Sequence, residues 1–290
     1  MDSLELRQPI GVGPSVGVVI VTHNSEASLD QTLASLNAQS YPAQQIVLVD
    51  SGSTDTAYVK KHNREGIIEL CFMPNIGFSQ GNNLGYSSLD EDIECVLFLN
   101  PDVILPPDFL EKAVSWMGAE GREKVGAITG PLYGWDIEKQ KVTGLIDSYG
   151  IYSTWYGHWY DKYRGASAKL RPFKTLQRPQ AICGALLFAR RQALESVKLG
   201  QYQVFDETFF CYKEDIDLSI RLRAKGWELV VVPALEAFHA RGWNPNRRLM
   251  PRHLRLMSAA NELKLHSKGY NPIKITYSFI KYLGVLLLDL

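Results

Sequence analysis

Val16-Gly17-Val18-Val19-Ile20-Val21-Thr22-His23-Asn24 is a β-branched apolar run that stops on three polar residues. Its length and composition are those of a strand buried on both faces, followed by a turn. Outward from it, the pattern repeats. Ser28–Ser40 places Leu29, Leu33 and Leu36 at helical spacing and ends at Tyr41-Pro42. Ile46–Val49 is a second strand closed by the turn-forming Asp50-Ser51-Gly52-Ser53-Thr54-Asp55, and Ile67–Phe72 is a third. Asn75 to Gly85 leads into a helix, and Cys95–Leu99 is a fourth strand, apolar enough to be central, stopping at Asn100-Pro101-Asp102. Strands alternating with amphipathic helices predict an α/β fold with a mostly parallel central sheet.

Beyond residue 100 the spacing predicts a helix over Pro106–Trp116 and a strand over Val125–Thr129. Residues 133–180 lose any lasting period and are rich in aromatics, among them Trp135, Tyr149, Trp155, Trp159 and Tyr160; they read as a flap over a cleft. Order returns at Ala185–Ala189, in a helix from Glu214 to Lys225 stopped by Gly226, and in a strand Glu228–Val232 stopped by Pro233. Pro251–Ser267 and Ile273–Leu288 read as helices. The organisation expected is a catalytic domain over residues 1–240, with 1–14 as a tail, and a basic helical appendage over 241–290.

The chain has 290 residues, 46% of them apolar and 21% charged, a globular composition and not a disordered or fibrous one. Lys plus Arg and Asp plus Glu balance at 31 each, which removes bulk attraction to nucleic acid as a reading. The distribution is uneven: Arg241 to Lys281 holds nine Lys or Arg against one acid, Glu262. Cys71, Cys95, Cys183 and Cys211 are scattered without metal-finger spacing and read as reduced thiols, so a cytoplasmic location is expected, at the inner face of a membrane where the C-terminal stretch docks there.

In open parallel sheets ligands gather beyond the carboxyl ends of the strands. Four such ends here are polar: Thr22-His23-Asn24, Asp50-Ser51, Asn75-Ile76-Gly77 and Asn100-Pro101-Asp102. Turn chemistry accounts for any one of them; four together point to a site. Neither a dinucleotide fingerprint nor a Walker loop is present. Gly77, Gly81 and Gly85 recur every four residues and leave one side of their helix bare, for a flat ligand or for tight helix–sheet packing. Glu214, Asp217 and Arg221 share a helix face while Asp215 points elsewhere, either as a helix-start acid or as a general base made more basic by apolar surroundings. His239 stands alone, and a structural role is the ordinary outcome for such a residue.

These segments resemble the motifs of inverting family 2 glycosyltransferases: Val18–Asn24, Val49–Asp55, Asn75–Gly85, Leu99–Asp102, Cys183-Gly184-Ala185, and Phe205-Asp206-Glu207 with Tyr212–Asp217. The order and spacing, from about Val16 to His239, look like the rhamnosyltransferase-type branch. The resemblance implies a GT-A fold with a nucleoside-diphosphate sugar in the N-terminal half and an acceptor in the C-terminal half. It implies that Thr22, Asn24 and Asp50 contact the nucleotide, with Asn75, Gly77, Asn83, Asn100, Gly184 and Ala185 also in donor-binding motifs. Asp102 then matches the last acid of a D-x-D motif holding Mg²⁺ or Mn²⁺, His239 lies near the metal and diphosphate, and Asp215 of the Glu214-Asp215 pair is the catalytic base. Asn100 replaces the first acid of D-x-D and takes one charge from the metal shell.

The function expected is inverting transfer of a sugar, rhamnose first, to a hydroxyl of a cell-surface glycan or lipid-linked acceptor. Two alternatives stay open at this point, a nucleotidyltransferase and a non-catalytic glycan-binding protein. The apolar, lysine-interrupted Ile273–Leu290 is expected either to lie on an anionic membrane as an interfacial helix or to pack on the catalytic part or in a homodimer contact.

Overall fold

The computed structural model describes residues 13–63, 67–170, 174–240 and 250–288. Its first half is a run of βα units: β1 (Val16–Thr22), α1 (Leu29–Asn37), β2 (Gln45–Ser51), α2 (Ala57–Lys60), β3 (Ile68–Met73), α3 (Gly77–Ser87) and β4 (Cys95–Leu99). The whole of β1 is buried, and its pleat sends alternate side chains to opposite faces. Val16, Val18 and Ile20 join one core with Leu29, Leu33 and Leu36 of α1; Val19 and Val21 join another with Tyr86 of α3. Helices thus cover both faces, which is why these strands read as continuous apolar runs rather than alternating ones. Each fully buried Val, Ile or Leu contributes about 1.5–3 kcal/mol.

The bare side of α3 serves packing. A Cβ at Gly81 would stand 2.8 Å from Val21 Cγ1, and one at Gly85 would stand 2.4 Å from Val19 Cγ1, so the helix lies directly on β1. Of the two readings of the glycine spacing, helix–sheet contact is the one observed at these two positions.

The chain continues through β5 (Val103–Ile104), α4 (Phe109–Gly118), β6 (Val125–Thr129), β7 (Leu132–Asp136), β8 (Lys141–Ser148), β9 (Ile151–Ser153), β10 (Trp159–Asp161), β11 (Leu186–Arg190), α5 (Arg191–Glu195), α6 (Glu214–Ala224), β12 (Glu228–Val231) and β13 (Ala237–His239). The central sheet has the order β12-β6-β11-β4-β1-β2-β3. All its pairings are parallel except those of β11, which runs antiparallel to β4 and β6. Strands β7 and β8 of a second sheet, ordered β5-β13-β7-β8, and the β9–β10 ribbon occupy the stretch read from sequence as an aperiodic flap. Helices α7 (Arg252–Lys268) and α8 (Pro272–Leu288) pack together at the C-terminal end. The four cysteines are all unbridged.

Candidate active site

The ends of β1 and β2 are tied into one corner. Thr22 Oγ1 lies 2.8 Å from the Tyr58 hydroxyl, which also meets Ser53 Oγ at 2.9 Å. Asn24, in a left-handed conformation at φ 49°, accepts the Thr54 N–H on Oδ1 at 2.8 Å. Asp50 accepts the Ser53 N–H on Oδ1 at 3.0 Å, while its other oxygen, Oδ2, is buried without a hydrogen-bond partner. A buried carboxylate oxygen left open is costly unless something donates to it. Ser51 Oγ accepts the N–H groups of Ile76 and Gly77 at the start of α3 and donates to Asn75 Oδ1.

Two of the donor-binding expectations meet protein rather than open space. Gly77 has φ +80°, and a Cβ there would lie 2.5 Å from the Phe210 carbonyl oxygen, so its glycine is required by the neighbouring 205–212 loop. Asn83 is buried and spends its amide on that same loop, donating to Phe205 O and Glu207 Oε1 and accepting the Phe205 N–H at 2.8 Å. These residues fasten the loop that precedes α6 to α3.

The other expected residues converge. Asn100, Asp102, Gly184, Ala185, Glu214, Asp215 and His239 line one cavity of about 340 Å³, closed on a further side by Trp159, Tyr160 and Asp161 of β10. Asn100 and Asp102 form the turn after β4, where Asn100 N donates to Ala185 O. Its side-chain Oδ1 is buried and unpartnered. His239, at the end of β13, is buried between two acids: Nε2 is 3.2 Å from Asp102 Oδ1 and Nδ1 is 2.8 Å from Asp147 Oδ2. Burial alone would lower its pKa, but the charges of Asp102 and Asp147 and their hydrogen bonds win and push it up to about 9.

Asp215 opens α6. Its Oδ2 accepts the Gly184 N–H at 3.0 Å and its Oδ1 the N–H of Ile216 at 2.8 Å. Desolvation raises its pKa against the opposing pull of these N–H groups and of Lys213, and the Asp161 charge raises it further. Its neighbour Glu214, buried, titrates well above the ordinary carboxyl range because of burial and the adjacent Asp215. Tyr212 and Lys213 both take left-handed conformations, at φ 73° and 77°, so the chain turns sharply before the helix. Asn261 of α7 holds that turn, donating from Nδ2 to the carbonyls of Cys211 at 2.8 Å and Tyr212 at 3.0 Å. Next to it, Glu262 is fully buried, with Lys281 at 2.5 Å and Lys213 at 4.0 Å from Oε2.

Asp147, Asp161 and Asn261 were not among the residues singled out from sequence, and each arrives alone from a distant element, without a motif around it. Lys213 lay inside the Tyr212–Asp217 motif with no role given to it, and Glu262 was noted only as the one acid of a basic stretch.

Among the described residues no three His, Cys, Asp or Glu side chains converge as a complete metal cage. What the cavity offers is a partial set: the Asp102 carboxylate, the unpartnered Asn100 oxygen and the imidazole edge of His239. Such a set suits a hard divalent cation whose remaining positions are filled by water and phosphate oxygens. The Asp147 bond to the far nitrogen of His239 is the outer support usual for an imidazole ligand.

A family model described as Glycosyl transferase family 2 matches residues 17–194, more than half of the chain. The chain belongs to that family. Among relatives of this glycosyltransferase, N-acetylglucosaminyl-diphospho-decaprenol L-rhamnosyltransferase of Mycobacterium tuberculosis is 26% identical over 245 residues, covering 79% of this chain and 77% of the relative. Rhamnosyltransferase WbbL of Escherichia coli is 24% identical over 242 residues, covering 77% and 83%. The fold is shared with the mannosyltransferase PcManGT from Pyrobaculum calidifontis, solved in complex with GDP-Man and Mn²⁺. The TM-score there is 0.58 at 18% identity, over 98% of this chain and 74% of the other. It is shared too with GalNAc-T7, solved with UDP, GalNAc and Mn²⁺, at a TM-score of 0.62 and 16% identity over 94% and 55%. The mostly parallel central sheet of this glycosyltransferase is therefore that of the GT-A fold.

Proposed function

We propose that this glycosyltransferase moves a sugar, rhamnose first, from a nucleoside-diphosphate donor to a hydroxyl of a glycan or lipid-linked acceptor, with inversion at the anomeric carbon. One observation carries the reading: Asp102 and Asp215, more than a hundred residues apart in the chain, line a single cavity. The two rhamnosyltransferase relatives support the choice of sugar, and the decaprenol-linked acceptor in the name of the mycobacterial one supports a lipid-linked acceptor.

The roles divide by position. The corner of Thr22, Asn24 and Asp50 receives the nucleotide, with Asp50 Oδ2 open to accept a donor group of the base. Asp102, His239 and the Asn100 oxygen would hold Mg²⁺ or Mn²⁺. A divalent cation bound there would offset the negative charge that develops on the departing nucleoside diphosphate. An acceptor hydroxyl is a weak nucleophile, and Asp215 takes its proton as oxygen attacks. The N–H groups of Gly184 and Ile216 fix that carboxylate in place. Trp159 and Tyr160 supply the apolar wall against which a sugar ring packs.

The test is product analysis with dTDP-rhamnose and a synthetic lipid-linked acceptor. Release of dTDP together with glycosylated acceptor is expected. Release of rhamnose 1-phosphate, or of free diphosphate when dTTP is supplied in place of dTDP-rhamnose, would indicate nucleotidyl transfer, and no turnover with any sugar donor of a panel, despite donor binding, would indicate a glycan-binding role.

A further inference from the structure

One stretch of backbone beside the cavity is strained. Tyr212 and Lys213 lie in the left-handed region at φ 73° and 77°, and among the described residues no other two consecutive non-glycine residues both do so. Such a conformation persists only where the surroundings hold it. Here the holder is the face of α7 that carries Asn261, Lys264 and Lys268 at helical spacing. Asn261 is buried, and its Nδ2 donates to the carbonyls of Cys211 at 2.8 Å and Tyr212 at 3.0 Å, so one amide serves both peptide units of the turn. Lys264 Nζ reaches Thr208 O, and Lys268 Nζ lies 2.5 Å from Asp206 Oδ2 and 2.5 Å from Asp217 Oδ1, one acid on each side of the turn.

We infer that α7, through Asn261 and Lys268, is the positioning element for the base: it fixes the turn before α6 so that the Asp215 carboxylate stays on the Gly184 N–H and faces the cavity. The inference rests on the role proposed above for Asp215. Lys213, the residue that flanks the start of α6, makes no side-chain cap, so the helix start depends on support from elsewhere in the chain. The 205–212 segment is gripped from two sides. On α3, Asn83 bonds Phe205 and Glu207, and the Phe78 N–H donates to Phe210 O at 2.8 Å. On the other side α7 adds the grip on Cys211 and Tyr212, the part of the segment that delivers the base.

Loss of this grip acts on chemistry more than on donor binding. The corner of Thr22, Asn24 and Asp50 is built on β1 and β2 and closed by Tyr58 of α2, with its own hydrogen bonds. The base, in contrast, must meet an acceptor hydroxyl at hydrogen-bond distance, and a displacement of about 1 Å costs on the order of a hundredfold in rate.

The test compares the full chain as wild type, Asn261→Leu, Asp215→Asn and the double variant. Asn261→Leu keeps the side-chain size and removes the N–H donors. With dTDP-rhamnose and the lipid-linked acceptor, kcat should fall roughly ten- to a hundredfold, while donor affinity in calorimetry stays within a few-fold. Hydrogen exchange should quicken in the peptide covering 209–216 and stay unchanged in β1 and β4. In the Asp215→Asn background the same substitution should change the residual rate by less than about twofold, since the group it positions is gone. Wild-type kcat in Asn261→Leu beside a disabled Asp215→Asn overturns the inference alone. An equal fractional loss in both backgrounds also overturns it, because it marks a role in the fold and not in placing the base. Equal turnover of Asp215→Asn and wild type, or no transfer by the wild type from any donor of a panel, removes the proposed reading and this inference with it. Should circular dichroism show Asn261→Leu unfolded, Lys268→Met, at the 39% exposed end of the grip, carries the same comparison. Its kcat should fall at least about threefold, and an unchanged kcat there overturns the inference.

Discussion

The Asp215 carboxylate is held by the backbone N–H of Gly184, Oδ2 to N 3.0 Å, across an interval of thirty-one residues. The contact joins the segment just before β11 to the first turn of α6, and it leaves little room: a Cβ at Gly184 would lie 3.3 Å from Asp215 Cβ. Two N–H donors orient the acid toward the cavity while burial and Asp161 keep it basic.

Asp215→Asn keeps the shape but cannot take a proton, and its single amide oxygen can accept only one of the two N–H bonds from Gly184 and Ile216. We expect donor affinity, measured by calorimetry, to stay within a few-fold, and turnover to fall by about 10²–10⁴. Equal turnover by the two proteins would remove Asp215 from its role.

The pH profile follows from the direction of the Asp215 shift. Its pKa lies above the ordinary aspartate value, so the base is protonated and activity declines on the acid side at a higher pH than an exposed aspartate would dictate. The Lys213 charge pulls the pKa of both Asp215 and Glu214 downward. Lys213→Met should therefore move the acid limb of kcat further up in pH. An unmoved or lowered limb would show that a different group sets it.

On the proposed reading, Asn100 would tune metal affinity. Chelator should stop turnover, and Mn²⁺ or Mg²⁺ should restore it. Asn100→Asp adds a charge at an oxygen that already faces the cavity unpartnered, and the cation concentration for half-maximal activity should drop at least about tenfold. An unchanged titration would place the cation elsewhere.

Gly85→Ala tests the seating of α3 on β1. The added methyl would start 2.4 Å from Val19 Cγ1 and 3.3 Å from Val49 Cγ2 inside a closed core. We expect a loss of about 1–3 kcal/mol in thermal or denaturant unfolding, with the metal requirement unaltered. A neutral substitution would mean that α3 can lift from the sheet at no cost.

The βα units of the first half were legible because their strands are covered on both faces and so appear as unbroken apolar runs, as β1 and β4 do. The direction of β11 was not, since an antiparallel strand in a buried sheet has the same composition as a parallel one. The 133–180 stretch hid four strands because β8 is exposed through its first half and buried only at its end, which breaks the alternation. In the cavity, Asp102 and Asp215 stood at the ends of recognisable elements, and His239 was pointed to only by the family resemblance. Asp147 and Asn261 had neither signal: one is an inward-facing polar residue late in β8, the other a single amide in α7, and only the folded chain shows what they touch.

The sharp reversal at Tyr212 and Lys213, pinned by an amide about fifty positions further along, has a practical corollary. The family match stops at residue 194, and a fragment cut there, or cut after β13, would keep the nucleotide corner while losing either the acid itself or its anchor. On the proposed reading, the chain cut after β13 should still bind nucleotide yet transfer nothing, whereas the cut at 194 also removes β12 and the core residues of α6, so the working unit extends through α7.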